Sequence, residues 1–503
     1  MTAAARFSTV TGMTGDSQYR RGDAPSRTQL IGRFGGVIAA IAIALFFDPP
    51  GLSEEARLTA AAAVLMGTWW MTEAIPPAAT AFLPLILFPI AGAMDMNATA
   101  ARYAHPIIYL FFGGFVVALA IERCGLHQRI ALKMVRRIGS DGRALVAGFM
   151  LAAALLSMWI SNTSTTLMLV PIALSITLAM RRCLPELGDE QRVQFEAALL
   201  LGVAYGATIG GVATLVGTPP NALMAGFLDE TYGLAIPFAQ WMLVGLPATI
   251  ILLPIAWWVL TRLAFRVDFH TTPGARAEIE RLHDDLGPAE TAEKRVAMLF
   301  LALVAAWVLR APFASLTGIT VVTDTTIAMS AALLAFLIPA GSRPGALMDW
   351  EEMKRMPWGV LVLFGGGLAL AGAMSESGLS AWIGSQLAPL AGWHIALLVV
   401  AACALVISLT EFTSNLATTA TFLPVMAAIA GETGHDPLLL IVPVTLAASC
   451  AFMLPVATAP NAIVYSSGKV TTAQMIRAGV LLNIMSVAVI SAIALLLVPE
   501  VLG

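Results

Sequence analysis

Residues 156–171 read LSMWISNTSTTLMLVP, and residues 409–424 read LTEFTSNLATTATFLP. The two stretches align without a gap, so that Asn162 in the first corresponds to Asn415 in the second. We interpret this correspondence as an internal duplication. Each copy places hydroxyl and amide side chains in the middle of a long apolar segment, where an unpaired polar group costs several kcal/mol. The sequence therefore predicts partners for these side chains, which can be other protein groups, ions or a ligand.

The composition of the chain is that of a membrane protein. Of its 503 residues, 58% are hydrophobic and only 12% are charged, which leaves too little polar surface to cover a soluble protein of this size. The net charge of −3 does not indicate a nucleic-acid partner. The cysteines are far apart and the histidines are scattered, so neither a disulfide framework nor a metal site is predicted. We find no residue constellation that indicates an enzyme, and no GxxxxGKS/T motif that indicates ATP-driven transport.

Apolar runs along the chain predict the membrane helices. A helix needs about 20 residues to cross a bilayer. The runs at 144–180 and 393–430 are too long for one helix, so each is either two full spans or a hairpin that enters to mid-membrane and returns. The polar motif in the middle of each run favours the hairpin. In chain order the runs lie near 34–48, 58–75, 78–93, 106–124, 144–180, 193–228, 236–264, 296–310, 324–341, 357–374, 393–430, 437–466 and 478–498.

Positive charges set the predicted sidedness, because Lys and Arg are concentrated in cytosolic loops. Segments rich in Arg flank the run at 144–180, whereas the segments on both sides of 393–430 contain no Lys or Arg. Eleven crossings and two hairpins satisfy this pattern, with a cytosolic amino terminus and an external carboxyl terminus. Five crossings then separate the hairpins, which therefore enter from opposite sides. This arrangement is an inverted-topology repeat, which secondary transporters use to build a site at mid-membrane.

Two further pairs of segments support the duplication. The glycine pair at 113–114 corresponds to the pair at 365–366, and we expect these glycines to allow close helix packing rather than to contact a ligand. The sequence TPPNA at 218–222 corresponds to TAPNA at 458–462. Proline lacks an amide donor and clashes with the preceding helical turn. Each membrane helix is therefore expected to open at this point and to leave carbonyl oxygens free.

The hairpin tips and the opened helices together form two predicted cation sites. They offer neutral oxygens from hydroxyls, side-chain amides and the backbone, which suit a hard monovalent cation such as sodium. The predicted ligands are Ser157, Ser161, Asn162 and a carbonyl near Gly210 in the first site, and Thr410, Thr413, Asn415 and a carbonyl near Ala457 in the second.

The same tips present the amino ends of half-helices, which carry partial positive charge and attract anions. No Lys or Arg lies in either hairpin core, so a bound dianion needs co-bound cations to offset its desolvation. One acidic residue, Glu411, lies in the second tip. Its counterpart in the first tip is Met158, so we favour a structural hydrogen-bonding role for Glu411 over proton coupling.

At these residues the sequence resembles the divalent anion/sodium symporter family, whose members carry dicarboxylates, citrate and sulfate. The resemblance covers nearly the whole chain after residue 33. It implies a homodimer in the lipid bilayer, in which a scaffold supports a transport domain that moves like an elevator. It also implies sodium as the coupling ion at the two sites. The substrate contacts that it implies are Asn162, Thr163, Thr218, Ser414, Asn415, Thr458 and Ala459.

Two residues depart from the usual motifs of this family. Leu416 stands where many dicarboxylate carriers have a second motif threonine, and Ala459 replaces the first proline of Pro-Pro-Asn-Ala. The loss of the hydroxyl at 416 removes a group that could hold one carboxylate of a substrate.

The resemblance and the charge pattern together predict how the chain is divided. The expected parts are a cytosolic tail at 1–33, the first part of the scaffold at 34–141, the first part of the transport domain with its hairpin at 142–267, a cytosolic linker at 268–293, the second part of the scaffold at 294–392 and the second part of the transport domain at 393–503.

We therefore expect a sodium-coupled symporter of small dicarboxylates, such as succinate, malate or fumarate, in a bacterial-type inner membrane. A sodium-independent exchanger of dicarboxylates or other anions and a sodium-coupled sulfate or citrate carrier are the alternatives within transport. An anion channel is an alternative outside it, and it would show conductance far above carrier turnover.

Overall fold

The computed structural model describes residues 26–138, 141–183, 188–268, 273–341, 343–387, 389 and 392–503. Across these residues the chain is helical, and its one β-type pairing is an isolated bridge between Pro339 and Ala346. The helices are α1 (Arg27–Phe46), α2 (Glu54–Thr72), α3 (Pro77–Thr80), α4 (Pro84–Ala91), α5 (Met96–Arg102), α6 (Pro106–Cys124), α7 (Leu126–Ile138), α8 (Gly142–Ser157), α9 (Asn162–Cys183), α10 (Asp189–Gly211), α11 (Pro219–Tyr232), α12 (Phe238–Trp258), α13 (Pro273–Asp284), α14 (Thr291–Thr317), α15 (Asp324–Leu337), α16 (Trp358–Glu376), α17 (Leu379–Gln386), α18 (Ile395–Thr410), α19 (Asn415–Thr433), α20 (Leu438–Ala448), α21 (Ala459–Ser466), α22 (Thr472–Leu496) and α23 (Val498–Val501). A π-helical turn, Val259–Ala264, extends α12, and a 3₁₀ turn, Glu351–Arg355, precedes α16.

The prediction of an all-α polytopic membrane protein is confirmed. Within the described residues, nine helices are long and apolar enough to cross a membrane. Shorter apolar helices complete the apolar segments, among them α8, α15, α18 and α20. The apolar run predicted at 78–93 is two short helices rather than one, since Pro84 begins α4 after a turn. Proline cannot donate a backbone hydrogen bond, so it starts a helix more readily than it continues one.

The two long apolar runs form helical hairpins. Residues 158–161 join α8 to α9, and residues 411–414 join α18 to α19. The first arm of each hairpin has 16 residues. At 1.5 Å per residue such an arm is about 24 Å long, which is less than the ~30 Å of a hydrocarbon core. The short first arm favours a re-entrant hairpin over two full spans for each run, while the second arms, α9 and α19, are by length and composition able to cross.

The helix that follows each hairpin is broken where the sequence predicts an opening. In the first half, α10 ends at Gly211 and α11 begins at Pro219. In the second half, α20 ends at Ala448 and α21 begins at Ala459. We call residues 212–218 the first break and residues 449–458 the second break.

The two halves of the chain pack crosswise. The second arm of the first hairpin, α9, packs against α21 of the second half, and α19 of the second hairpin packs against α11 of the first half. The Tyr205 hydroxyl on α10 donates a hydrogen bond of 2.6 Å to the carbonyl oxygen of Phe452 in the second break. Each break is therefore built against elements of the other half, which places both hairpins around one shared core.

The paired glycines lie in close helix contacts, as predicted. A Cβ atom on Gly113 would lie 2.7 Å from the backbone of Ala328 on α15, and one on Gly366 would lie 2.7 Å from the backbone of Ala81. Real Cβ atoms do not approach backbone atoms so closely. These glycines therefore allow close helix packing in a helix that precedes the hairpin in each half.

The terminal and linker segments are only partly described. Helix α1 begins at Arg27, inside the predicted tail, and residues 1–25 lie outside the described part of the chain. In the predicted linker, residues 269–272 also lie outside it. The rest of the linker contains α13, and its Glu278 carboxylate accepts a hydrogen bond of 2.8 Å from the Ser175 hydroxyl on α9.

Candidate functional site

The tip of the first hairpin joins a hydroxyl to an amide. Ser157 is the last residue of α8, Asn162 is the first residue of α9, and the Ser157 hydroxyl donates a hydrogen bond to Asn162 Oδ1. The end of α10 touches this pair, since a Cβ on Gly211 would lie 2.7 Å from Asn162 Oδ1. Only glycine allows the backbone to come so near the amide. The first tip and the first break therefore meet at Asn162.

The tip of the second hairpin repeats this arrangement. The Thr410 hydroxyl lies 2.9 Å from Asn415 Oδ1 and 2.7 Å from the carbonyl oxygen of Ala448, the last residue of α20. A hydroxyl has one proton and can donate it to one acceptor at a time. The Asn415 and Ala448 oxygens thus both lie beside the Thr410 hydroxyl oxygen, at the carboxyl end of α20. The helix dipole favours a cation at such an end. The sequence did not single out Ala448, because only the tertiary fold brings this carbonyl to the tip.

Two other predicted cation ligands use their hydroxyls within the tips. Ser161 Oγ donates to Ser164 Oγ at 3.0 Å and accepts from the Ser164 backbone N–H at 3.1 Å, which caps α9. Thr413 Oγ1 donates to the Leu409 carbonyl at 3.1 Å and lies beside the Thr418 hydroxyl. Both residues stabilise the tips in this conformation, and direct cation contact by either remains a prediction.

The two predicted backbone ligands lie at the breaks. Gly210 packs against the backbone of Ala154 on α8, where a Cβ would come within 2.3 Å of the Ala154 carbonyl oxygen. Its own carbonyl accepts a hydrogen bond of 3.1 Å from the Ala213 N–H. Ala457 is buried in the second break, and its N–H donates to the Leu454 carbonyl at 3.3 Å.

The residues that the family resemblance assigns to substrate lie at the amino ends of four helices. Such ends carry partial positive charge, which suits an anion. The ends of α9 and α19 also offer backbone N–H groups, whereas the first turns of α11 and α21 contain prolines, which have none. The Thr458 hydroxyl accepts a hydrogen bond of 3.3 Å from the Asn461 N–H at the start of α21. The remaining positions are Thr163 in the first turn of α9, Thr218 immediately before α11, Ser414 and Asn415 at the start of α19, and Ala459 as the first residue of α21.

The tips and the breaks lack Lys and Arg, and so do the hairpin arms apart from the outer ends of the first hairpin. Arg143 lies in the first turn of α8, and the two arginines of α9 lie in its last turn, away from the tip. The sequence contains no Lys or Arg from 144 to 180 or from 393 to 468. A dianion at these helix ends would therefore meet N–H groups, hydroxyls and amides, and it would need cations nearby to offset the loss of hydration.

The carboxylate of Glu411 fastens the second tip to the second break. It accepts hydrogen bonds from the backbone N–H groups of Phe452, Met453 and Leu454 at 2.8 to 3.1 Å. The Asn483 side-chain amide on α22 adds a fourth donor at 2.7 Å. Successive N–H groups form a concave site for an anion, and here the chain supplies that anion itself. This geometry supports the structural role that the sequence favoured.

The first half fastens its tip in a different way. The Thr214 hydroxyl in the first break donates a hydrogen bond of 2.6 Å to the carbonyl oxygen of Met158. Met158 corresponds to Glu411 in the duplication. Each tip is therefore tied to the break of its own half at the residue that follows Ser157 or Thr410. The sequence did not single out Thr214, because an isolated threonine in an apolar run carries no distinctive pattern.

The sequence of the chain matches a known transporter family over most of its length. A family model described as "Sodium:sulfate symporter transmembrane region" matches residues 27–499, which is nearly the whole chain. The chain belongs to the divalent anion/sodium symporter family. The resemblance drawn from the Ser-Asn motifs is thus confirmed, and membership places the protein among multi-pass membrane transporters rather than enzymes.

Curated members of the divalent anion/sodium symporter family include similar bacterial proteins. The sodium-dependent dicarboxylate transporter SdcS of Staphylococcus saprophyticus is 41% identical over 481 residues, which cover 94% of this chain and 92% of the relative. The protein of the same name from Staphylococcus aureus strain USA300 is 40% identical over 482 residues, covering 95% and 93%. The similarity therefore extends over both halves and both hairpins.

A solved structure shares the fold of this symporter-family chain. The crystal structure of the YdaH transporter from Alcanivorax borkumensis superposes with a TM-score of 0.57, covering 88% of this chain and 99% of that one. The sequence identity is 15%, so the comparison bears on the fold alone.

The departure at Leu416 also has a structural setting. Leu416 is buried in the first turn of α19, whereas Thr163 at the corresponding position of α9 is half-buried. The hydroxyl of the first tip is thus matched by an apolar side chain in the second. The two tips of this symporter-family member are equivalent in backbone and unequal in hydroxyl groups.

Proposed function

We propose that this protein is a sodium-coupled symporter of small dicarboxylates of the succinate, malate and fumarate class. The observation that carries the proposal is the repeated contact between a hydroxyl and an asparagine oxygen, Ser157 with Asn162 and Thr410 with Asn415, beside the end of a broken helix. The relatives named sodium-dependent dicarboxylate transporter are 40% to 41% identical over nearly their whole length, and their names support the choice of ion and cargo.

In this proposal one sodium ion binds at each tip and offsets the free-energy cost of desolvating the anion at mid-membrane. The hydroxyl, amide and carbonyl oxygens replace the hydration shell of the ion, and the ion in turn supplies the positive charge that the side chains lack. The ligands proposed are those named from the sequence, with the Ala448 carbonyl added at the second site. The dianion then binds between the amino ends of α9, α11, α19 and α21, where the helix dipoles of all four and the N–H groups of α9 and α19 face it.

The need for bound cations couples anion transport to the sodium gradient. The anion is held weakly until both cations are present, since its desolvation is otherwise uncompensated. An inward sodium gradient thereby drives uptake of the anion.

We further propose that the parts at 142–267 and 393–503 form a transport domain that moves against a scaffold. The protein is proposed to be a homodimer, with its amino terminus in the cytosol and its carboxyl terminus external. The cellular site proposed is the inner (cytoplasmic) membrane.

Reconstitution tests the proposal. Purified protein in proteoliposomes should accumulate radiolabelled succinate only with an inward sodium gradient, and replacement of sodium by choline or potassium should abolish the uptake. Asn162→Ala and Asn415→Ala should each reduce uptake at least tenfold. Succinate counterflow that proceeds without sodium would identify an exchanger instead, and competition of succinate with citrate and sulfate would define the cargo.

A further inference from the structure

Two buried asparagines follow the breaks, and their side chains have no role in the site described so far. Asn221 and Asn461 are each fully buried, with 0% of their surface exposed. Each lies in the first turn of the helix that resumes after a break, α11 or α21. The duplication relates them to each other through the TPPNA and TAPNA sequences. Their environments are equivalent, which makes a shared purpose testable.

Each asparagine uses its amide group to hold two carbonyls of the adjoining break. Asn221 Nδ2 donates to the carbonyl oxygens of Val212 at 3.1 Å and Thr214 at 2.8 Å. Asn461 Nδ2 donates to those of Ala451 at 3.3 Å and Leu454 at 3.1 Å.

These bonds add to the few other donors that reach the carbonyls of each break. The Val212 carbonyl also accepts from Trp241 Nε1 at 3.2 Å, and the Thr214 and Leu454 carbonyls each accept one longer bond, of 3.3 to 3.4 Å, from a backbone N–H. An opened helix leaves carbonyl oxygens without intrahelical partners. The resuming helices begin with prolines, Pro219 and Pro220 in one half and Pro460 in the other, and proline has no N–H to offer. A side-chain amide has two N–H bonds, so it can hold two carbonyls at once. Both hydrogens of each amide are used in this way, while the two Oδ1 atoms have no hydrogen-bond partner among the described residues.

The bonds of Asn221 continue into the first hairpin tip. Thr214, whose carbonyl Asn221 holds, is the residue whose hydroxyl bonds the Met158 carbonyl at 2.6 Å. Met158 is adjacent to Ser157. Asn221 is therefore connected through Thr214 and Met158 to Ser157, which belongs to the first predicted cation site.

The bonds of Asn461 continue into the second tip in the same manner. Leu454, whose carbonyl Asn461 holds, donates its own N–H to Glu411 Oε2 at 3.0 Å. Glu411 is adjacent to Thr410. The two halves thus connect break and tip by different residues, Thr214 in the first and Glu411 in the second. In both halves an asparagine amide holds the break residue that takes part in this connection.

We propose that Asn221 and Asn461 are positioning residues for cation binding. They fix each break in the conformation that keeps the hairpin tip and the end of the preceding helix around one ion. This inference rests on the proposed sodium coupling and deepens it, because it assigns the geometry of each ion site to a residue that does not touch the ion.

The number of amide donors sets the expected effects. Asn221→Ser and Asn461→Ser keep one donor, and Asn221→Ala and Asn461→Ala keep none. Each alanine variant loses two hydrogen bonds to carbonyls of its break, which should raise the sodium concentration for half-maximal succinate uptake about tenfold, with smaller shifts in the serine variants. Sodium-induced stabilisation of the purified protein, measured by thermal unfolding in detergent without substrate, should shift by the same factor and in the same order.

A matched control separates positioning from a general loss of stability. Trp257 Nε1 donates to the Arg143 carbonyl at 3.0 Å, a bond between a side chain and the backbone that lies away from both breaks. Trp257→Phe removes that bond. It should lower the unfolding temperature and leave the half-saturating sodium concentration as in the wild type.

The outcomes distinguish this inference from the proposed function. If wild-type uptake ignores sodium, the proposed function fails and this inference fails with it. If wild-type uptake requires sodium while folded alanine variants keep the wild-type half-saturating concentration, the inference alone is overturned. It is likewise overturned if Trp257→Phe shifts sodium dependence as much as the alanine variants do. Where an alanine variant does not fold, the serine variant at that position decides.

Discussion

The Thr410 hydroxyl lies 2.9 Å from Asn415 Oδ1, and the corresponding pair, Ser157 and Asn162, is hydrogen-bonded in the other half. Hydroxyl and amide are five residues apart in both hairpins, so the contact is a property of the turn that joins the two arms. The duplication has thereby preserved a geometry as well as a motif. Each pair presents its oxygens where a broken helix ends, and this juxtaposition gives the hairpin tips their proposed chemistry.

Removal of the hydroxyl tests this geometry directly. Thr410→Val keeps the shape of the side chain and removes one oxygen from the second tip, so the sodium concentration for half-maximal uptake should rise at least tenfold. Thr410→Ser retains the oxygen and should stay within a few-fold of the wild type. Thr421→Val is a suitable control, because the Thr421 hydroxyl bonds the Ala417 carbonyl within its own helix. Unchanged sodium dependence in Thr410→Val would exclude this hydroxyl as a ligand.

The carboxylate of Glu411 should contribute to stability more than to proton transfer. Glu411→Gln replaces one acceptor oxygen by an NH₂ group that faces backbone N–H donors, and it removes the charge that strengthens the remaining bonds. We expect a loss of about 3 kcal/mol in the free energy of unfolding, the lower end of what breaking a buried charged network costs. Thermal or chemical unfolding in detergent measures it. A variant with wild-type stability and altered pH dependence of uptake would favour proton coupling instead.

The close helix contacts give a prediction that does not depend on the transported ion. Gly113→Ala and Gly366→Ala each place a methyl group 2.7 Å from a neighbouring backbone, so overpacking should cost about 1–3 kcal/mol. Gly35→Ala is the matched control, because a Cβ there has nothing within 4 Å. Alanine at an open helical position should be neutral or stabilising by roughly 0.5–1 kcal/mol. Equal unfolding temperatures for all three variants would contradict the packing assigned to the glycines.

The sequence was sufficient to predict the hairpins and the breaks, because each leaves a local pattern. Polar residues in an apolar run mark a tip, and prolines before an asparagine mark a break. The contacts between them left no such pattern. The Ala448 carbonyl and the Thr214 hydroxyl reach the tips only through tertiary packing, and the crosswise pairing of α9 with α21 depends on how the halves interlock. Periodicity fixes where a helix lies along the chain, and it does not specify which carbonyl faces which hydroxyl.

A charged contact at the ends of α5, α11 and α16 provides a test of the proposed movement. Arg102 on α5 forms an ion pair with Glu230 near the end of α11, and its second guanidinium nitrogen lies 3.1 Å from Glu376 at the end of α16. The side chains of Arg102 and Glu230 are 18% and 21% exposed, so solvent screens the pair only in part. Arg102 and Glu376 belong to the predicted scaffold, while Glu230 belongs to the predicted transport domain.

If the transport domain slides against the scaffold, the ion pair of Arg102 with Glu230 must break in each cycle. Arg102 then keeps Glu376 as its partner, because both belong to the predicted scaffold. Glu230→Gln should then alter the maximal rate of succinate uptake severalfold, because it destabilises one end state, with little change in half-saturating substrate. Arg102→Glu alone should be more damaging, and Arg102→Glu combined with Glu230→Arg should recover part of the rate, with a coupling energy of about 1 kcal/mol in a double-mutant cycle. Initial rates in proteoliposomes at saturating sodium, with Glu230→Arg alone as the fourth protein, give all four corners of the cycle. Strictly additive effects, with no recovery in the charge-swapped protein, would show that the contact does not govern the movement.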